Sequence, residues 1–335
     1  MMKWTMQFPA VTAALLSTLL LVACDGGYSP LPDAADADEH GSTAATTVTA
    51  QRNRALLDSL PMADRQDFED ARRGLIASAE GLRIEGPGDA PAWNMADYAF
   101  VEGDAPDSVN PSLWRQAQLN NIHGLFKVTD GVYQIRGFDL ANMSLIEGDS
   151  GWIVVDPLTN AQTAAAAINF AFEHLPRKPI TAVLFTHSHI DHFGGVLGAL
   201  EAADTTANDV EVIAPEGFLE EATSENILAG PTMMRRAQYM YGMSLPRTAR
   251  GHVDTGLGKQ PSDGDFGVLP PTRLIERTGQ RLMIDGVEFL FQIVSGSEAP
   301  AEFTFYLPAQ RAFCGAEMLS RNLHNLYTLR GAKAV

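Results

Sequence analysis

Apolar and polar positions alternate in short, sharply bounded runs from Leu125 onward. Phe126-Lys127-Val128, Val132-Tyr133-Gln134-Ile135 and Met143-Ser144-Leu145-Ile146 read as short strands, with Asp130-Gly131 and Gly148-Asp149 as the turns between them. Trp152-Ile153-Val154-Val155 is apolar throughout, as a strand covered on both faces is, and it stops at Asp156-Pro157. Thr159 and Gln162 have the spacing of a capping box, and the Ala-rich run from Asn160 to Leu175 predicts a helix that crosses back to another apolar strand, Ile180–Phe185. Gly194-Gly195 then opens a helix containing Val196, Leu197 and Leu200, and Val210–Ala214 is the next strand. Arg281–Ile284 and Val287–Ile293 pair through Asp285-Gly286, and Phe303–Tyr306 and Arg311–Cys314 follow as further strands. Strand, helix, strand, loop, helix, strand is the order of an α/β domain, whose sites form at the carboxyl ends of its strands.

Ahead of Leu125 the pattern is different. Residues 1–24 hold Lys3, an apolar stretch from Val11 to Val22, and then Leu21-Val22-Ala23-Cys24. That stretch is too short to span a bilayer comfortably and has the length of an export signal. Its ending resembles a bacterial lipobox, which implies a lipid anchor on Cys24 and a membrane-attached protein on the periplasmic side, with free periplasmic or secreted forms as the other outcomes. Residues 25–60, poor in large apolar side chains over Asp25–Thr49, are expected to form a disordered tether. A helical and irregular extension is expected over residues 61–120. In it Phe68, Ala71, Leu75, Ile76 and Ala79 predict a helix from Pro61 to Ala79, and Trp93, Tyr98 and Phe100 pack down an irregular Gly/Pro-rich stretch, Gly86–Pro111. Residues 121–335 form the main domain, with Gly230–Gly267, rich in Gly, Met and Arg, as an insertion over its site.

Composition narrows the reading further. The chain has 335 residues, 45% of them hydrophobic, enough for a substantial core. A formal charge of −17 argues against nucleic acid as a partner, because phosphate binding wants a basic surface. A small anion held by a few local Arg or Lys residues and by metal remains compatible with it. With Cys24 lipidated, Cys314 is the one remaining cysteine of two, so no intrachain disulfide forms.

The chemistry is concentrated in Thr186-His187-Ser188-His189-Ile190-Asp191-His192-Phe193-Gly194-Gly195, where three of the eight histidines and a carboxylate fall on one strand-to-helix loop. In an extended segment alternate side chains share a face, so His187 and His189 reach one metal, while Asp191 and His192 approach a second after the chain bends. Imidazoles and a carboxylate suit zinc, and also accept iron or manganese. Two metals about 3.5–4 Å apart clamp a bridging hydroxide near neutral pH. This spacing is a strong signal for metal and a weak one for substrate.

Early hairpins, a crossover strand ending in Asp156 and the THSHIDH phrase resemble the metallo-β-lactamase superfamily, an αββα sandwich. Within it, Asn110-Pro-Ser-Leu-Trp-Arg, Tyr133-Gln-Ile-Arg-Gly-Phe-Asp-Leu, Arg235-Arg-Ala-Gln-Tyr-Met-Tyr-Gly, Ser297-Glu-Ala-Pro-Ala-Glu and His324-Asn-Leu-Tyr-Thr-Leu-Arg-Gly are similar to linear alkyl sulfatases, which hydrolyse dodecyl sulfate. The resemblance implies a zinc-dependent sulfuric ester hydrolase with two Zn2+ sites. His187, His189 and Glu298 hold the first metal, Asp191 and His192 the second, and Glu317 bridges, so that Asp191 and Glu317 belong to the catalytic centre. Asp156 is expected behind the ligands, orienting them. Arg330 is the candidate for the sulfate oxygens, with His324 and Asn325 beside it, because a planar guanidinium suits an oxyanion. Tyr239 and Tyr241, with Met240 and Met243, form the candidate wall for an alkyl tail.

The family continues beyond the point where this chain stops, with a further metal-binding histidine, a helical dimerisation domain and a sterol-carrier-like domain. The resemblance therefore implies a domain incomplete at its C-terminus, a second metal site one ligand short, and a homodimer whose dimerisation domain is absent. The other functional readings are a lactonase or β-lactamase of the same superfamily, or a catalytically impaired lipoprotein.

Overall fold

The computed structural model describes residues 36–321, so Cys24, His324, Asn325 and Arg330 lie outside the described residues. Two helices come first, α1 (Thr47–Ser59) and α2 (Gln66–Arg72), then strands β1 (Leu75–Ser78), β2 (Arg83–Glu85) and β3 (Pro91–Asn94) and helix α3 (Pro111–Asn120). Strands β4 (Gly124–Thr129), β5 (Val132–Arg136), β6 (Met143–Glu147) and β7 (Trp152–Val155) follow, then α4 (Ala161–His174), β8 (Ile180–Leu184), α5 (Val196–Ala202) and β9 (Glu211–Pro215). Helices α6 (Phe218–Thr223) and α7 (Gly230–Tyr241) precede β10 (Arg273–Ile275), β11 (Arg281–Ile284), β12 (Val287–Ile293), β13 (Phe303–Leu307) and β14 (Ala312–Cys314).

Three layers of an αββα sandwich are built from these elements. The larger sheet has eight strands in the order β1-β4-β5-β6-β7-β8-β9-β10 and turns from antiparallel to parallel at β7, where the crossover helix α4 begins. One of its faces packs on α4 and α5 through Ala164, Ala167, Ile168, Val196 and Leu200. The other meets the four-stranded antiparallel sheet β11-β12-β13-β14, with Ile153, Val155, Leu184 and Ile213 against Phe289, Phe291, Phe303 and Phe305. β7 is buried at all four positions because it is covered on both faces, which is why its sequence shows no alternation. Where β11 turns into β12, the Asp285 carboxylate accepts hydrogen bonds from Ser150 N, Ser150 Oγ, Gly151 N and Thr181 Oγ1, joining the two sheets at the start of β7 and β8.

The N-terminal expectations need correcting. The presumed tether over residues 25–60 contains α1, capped by Thr46, whose side chain accepts from Thr49 N, and held by Arg54 Nε donating to Asp107 Oδ1 at 2.9 Å. Low-complexity composition ends near Thr46, before the segment does. The helix expected over Pro61–Ala79 stops at Arg72. Gly74 takes φ +75°, where a Cβ would run into Lys127 O, and Leu75–Ser78 then adds antiparallel to β4 as an edge strand. Inside the supposedly irregular Gly86–Pro111, β3 pairs with β2, and the buried Trp93 donates from Nε1 to Gly137 O at 2.8 Å. At α4 the cap is Asn160, whose side chain accepts from Thr163 N; Thr159 instead donates to Asp139. Among the described residues no helix is long and apolar enough to cross a membrane.

Candidate metal centre

The loop after β8 carries the histidines, and its shape follows from the residues around it. Residues 190–192 form a single 3₁₀ turn, and Gly194 and Gly195 press against the backbone of Thr159 and Pro157, where any Cβ would collide with a carbonyl oxygen. Asp156 (φ 55°) and Leu158 (φ 65°) hold left-handed conformations just past β7, and so does Ala316 (φ 50°) beside Glu317. Strain at non-glycine residues of this kind, of order 1–3 kcal/mol each, persists only where surrounding contacts enforce it.

Those contacts orient the imidazoles. Asp156 Oδ1 accepts from Thr186 N at 2.8 Å and its Oδ2 from Thr186 Oγ1 at 2.7 Å, while His192 Nδ1 lies 2.8 Å from the same Oδ2. His187 Nδ1 is 3.0 Å from Thr186 Oγ1. Since that hydroxyl gives its proton to Asp156, it accepts from His187, and one carboxylate thereby fixes the tautomers of two rings, leaving both Nε2 atoms to face inward.

The second sheet brings the acids. Glu298, in the turn between β12 and β13, places Oε1 3.6 Å from His189 Nδ1, and Glu317, after β14, places Oε2 3.3 Å from Nε2 of both His187 and His192. Asp191 Oδ2 is 3.4 Å from His192 Nε2. Two triads, His187 with His192 and Glu317, and His189 with Glu298 and Glu317, bring ligand atoms within 4.8 Å of one another. All six residues expected around the metals thus meet in one place. His187 Nε2 lies 3.1 Å from His189 Nδ1 and Asp191 stands beside His192, as expected, while Glu317 reaches both His187 and His192. His189 has already left the strand and begins the 3₁₀ turn, which aims its ring at Glu298.

Residues 136–271 match the family model of the metallo-β-lactamase superfamily. The chain is 48% identical to the alkyl/aryl-sulfatase BDS1 of Saccharomyces cerevisiae over 85% of its own length and 44% of that protein. It is 49% identical to an (R)-specific secondary-alkylsulfatase of Pseudomonas sp. over 89% of its own length and 45% of that protein. The solved structure of the stereoselective inverting sec-alkylsulfatase Pisa1 of Pseudomonas sp. superposes with a TM-score of 0.76 at 50% identity, over 81% of this chain and 43% of that one. Residues 136–271 carry a metallo-β-lactamase superfamily domain. It spans less than half the length of these alkylsulfatase relatives.

The superfamily's metals fit the residues found here. Burial disfavours charge on both Asp191 and His192, yet each overcomes it through the other: His192 draws the Asp191 carboxyl down to about 2, and Asp191 and Asp156 hold the His192 imidazole well above its ordinary value. A pocket that pulls a proton onto a fully enclosed imidazole is a pocket that stabilises positive charge, and divalent cations answer the same field with nitrogen and oxygen donors already in place.

Beside the cluster lies a cavity of about 600 Å³. His189, Asp191, Glu298 and Glu317 form one end, and Met233, Met234, Ala237, Tyr241, Met243 and Leu257 contribute its apolar wall. The insertion thus lies where the sequence placed it. Tyr239 does not belong to that wall: it is 82% exposed, whereas Tyr241 is 7% exposed and does line the cavity. Successive positions two apart on a helix point to nearly opposite sides, so α7 offers only one of the two tyrosines.

Three further acids went unread in the sequence. Glu302 Oε2 accepts from Ser297 Oγ and from the backbone N–H of Glu298 and Ala299, shaping the turn that presents Glu298. Its position, in the Ser-Glu-Ala-Pro-Ala-Glu phrase, was the available signal. Asp139 is buried and accepts from Thr159, Thr163 and Ser262, joining the loop after β5 to α4 and to the insertion. Burial raises its carboxyl pKa, against the pull of those hydrogen bonds. Glu225, on a π-helical turn between α6 and α7, puts Oε2 3.7 Å from His189 Nε2. Lone acids in loops and helices carry no local pattern that would single them out.

Proposed function

We propose that this protein hydrolyses alkyl sulfate esters to an alcohol and inorganic sulfate, using two zinc ions. The observation that carries the reading is the convergence of His187, His189, Asp191 and His192 with Glu298 and Glu317 at one end of a cavity of about 600 Å³ that has an apolar wall. The sulfatase names of relatives near 48% identity supply the substrate class.

His187, His189 and Glu298 would hold one zinc, Asp191 and His192 the other, with Glu317 between them. Bound there, zinc lowers the pKa of a coordinated water toward neutrality and takes up charge on the sulfate. The protein's own part is orientation and exclusion. Asp156 and Thr186 keep the Nε2 atoms of His187 and His192 turned inward, Glu302 keeps Glu298 in place, and the wall of α7 excludes water from the tail. Arg330, with His324 and Asn325, is proposed to meet the sulfate oxygens. Pisa1 is an inverting enzyme. Inversion at a chiral carbon requires attack at carbon with sulfate leaving, and we extend that course to this chain because sulfate departs without a strong general acid. A lipid anchor on Cys24, facing the periplasm, completes the proposal.

Purified protein loaded with zinc is offered dodecyl sulfate, a cephalosporin and a lactone in heavy-oxygen water. The expected result is turnover of dodecyl sulfate alone, with the label in the alcohol. Turnover only of the other two substrates ends the sulfatase reading, and label in the sulfate ends attack at carbon.

A further inference from the structure

We infer that Glu225 is a positioning residue for His189, and that through it the helical cover of the cavity takes part in holding the metal. The inference rests on the metal-site reading above and goes beyond it. Each of the three imidazoles uses one nitrogen toward the cluster and has a partner behind the other. His187 and His192 face inward with Nε2 and are held at Nδ1 by Thr186 and Asp156, groups at the ends of β8 and β7. His189 is turned the other way. Its Nδ1 faces Glu298 at 3.6 Å, so a metal bound there leaves the proton on Nε2. The group opposite that Nε2 is the Glu225 carboxylate at 3.7 Å.

Glu225 comes from no strand of the sandwich. It stands on a π-helical turn, Ser224–Leu228, a form that inserts one extra residue per turn and recurs at functional sites. The extra residue lets the turn aim Glu225 and Asn226 into the cavity while Ile227 and Leu228 point to solvent, 68% and 79% exposed. The same cover continues into α7, whose Met233, Met234, Ala237 and Tyr241 form the apolar wall. One continuous segment therefore lines the apolar wall of the cavity and stands behind His189. Charge on Glu225 strengthens the basicity of His189 as it fixes the ring, the role carboxylates play behind zinc-bound histidines.

The test uses the full chain and reads zinc affinity by competition with a chromophoric chelator, together with kcat and KM for dodecyl sulfate. Glu225→Ala is expected to bind zinc about tenfold or more weakly and to lower kcat with little change in KM, with the melting curve of the metal-free protein unmoved. Glu225→Gln, whose amide oxygen is able to accept from Nε2–H, is expected to recover most of the affinity. Equal zinc affinity in the parent and Glu225→Ala overturns this inference and leaves the metal site standing. A parent chain that takes up no zinc overturns both.

Discussion

The two sheets contribute to the centre in opposite ways. The eight-stranded sheet delivers His187, His189, Asp191 and His192 on one continuous loop, with Thr186 and Asp156 behind them from the ends of adjacent parallel strands. Its donors are close in sequence and already oriented. The four-stranded sheet delivers Glu298 and Glu317 from two separate strand ends, one turn shaped by Glu302 and the other by a left-handed Ala316. Its donors are acids that sit correctly only when the two sheets pack. A short bridge between His187 and Glu302, with Phe303 N donating to Thr186 O at 3.0 Å, joins the two halves beside the metals. The imidazole half is a local motif, and the carboxylate half is a product of tertiary structure.

Deleting one donor from each half breaks the arrangement most directly. His187→Ala and Glu298→Ala are each expected to reduce dodecyl sulfate hydrolysis by more than about 100-fold and to lower bound zinc, measured by elemental analysis, beyond what a partner behind a ligand costs. If only the histidine variant loses zinc, the second sheet does not share in the site. Separating the sheets without touching a donor comes next. Phe303 is fully buried, with its ring 5.0 Å from that of Phe291, and Phe303→Ala is expected to cost about 3–5 kcal/mol in urea unfolding and to weaken zinc uptake with it. Unchanged uptake after such a loss would show that the acids hold their places without the interface.

A finer probe of the imidazole half is Asp156→Asn, which replaces an acceptor shared by Thr186 and His192 with a mixed donor and acceptor. Zinc affinity is expected to fall about 10–100-fold while the fold remains, and a smaller change would mean that the loop orients its rings unaided. The smallest effect lies away from both sheets. Burial, with the nearby Arg247 charge, lowers His252 from 6.5 to about 4, and its Nδ1 lies 3.1 Å from the buried Tyr98 hydroxyl. A histidine kept neutral stabilises the fold fully above its unfolded pKa, and that stability is lost as pH falls from about 6.5 toward 4. In His252→Gln the melting temperature is expected to depend less on pH across that window, with zinc content unchanged; identical slopes would remove His252 as the cause.

This contrast explains what the sequence revealed. Strands β4 to β9 and β11 to β14 were legible because nearly all are short apolar runs closed by Gly, Asp or Pro, and the motif loop was legible because its donors are contiguous. Glu298 and Glu317 were reached only through resemblance, since a single acid after a strand looks like any solvated carboxylate. Glu225 and Asp139 act across long sequence separations and leave no period to detect, and Glu302 acts within the turn of its own phrase, where an acid looks like any other. The Pro61–Ala79 helix failed because Leu75 and Ile76 satisfy a helical spacing, while Gly74, a single residue, decides that the chain turns and joins an edge. Choosing Tyr239 with Tyr241 failed on a simpler point: spacing alone does not say which side of α7 faces the cavity.

The Asp285 junction sits at the end of the sandwich opposite the metals, where β7 and β8 begin. Fastened there and bridged again at His187 and Glu302, the sheets resemble tweezers riveted at the heel, with Glu298 and Glu317 on one tip and the histidines on the other. Metal gripped between the tips would clamp the instrument shut, so chelation should loosen the far ends of β8 and β13 while the riveted heel keeps its amide protons protected from exchange.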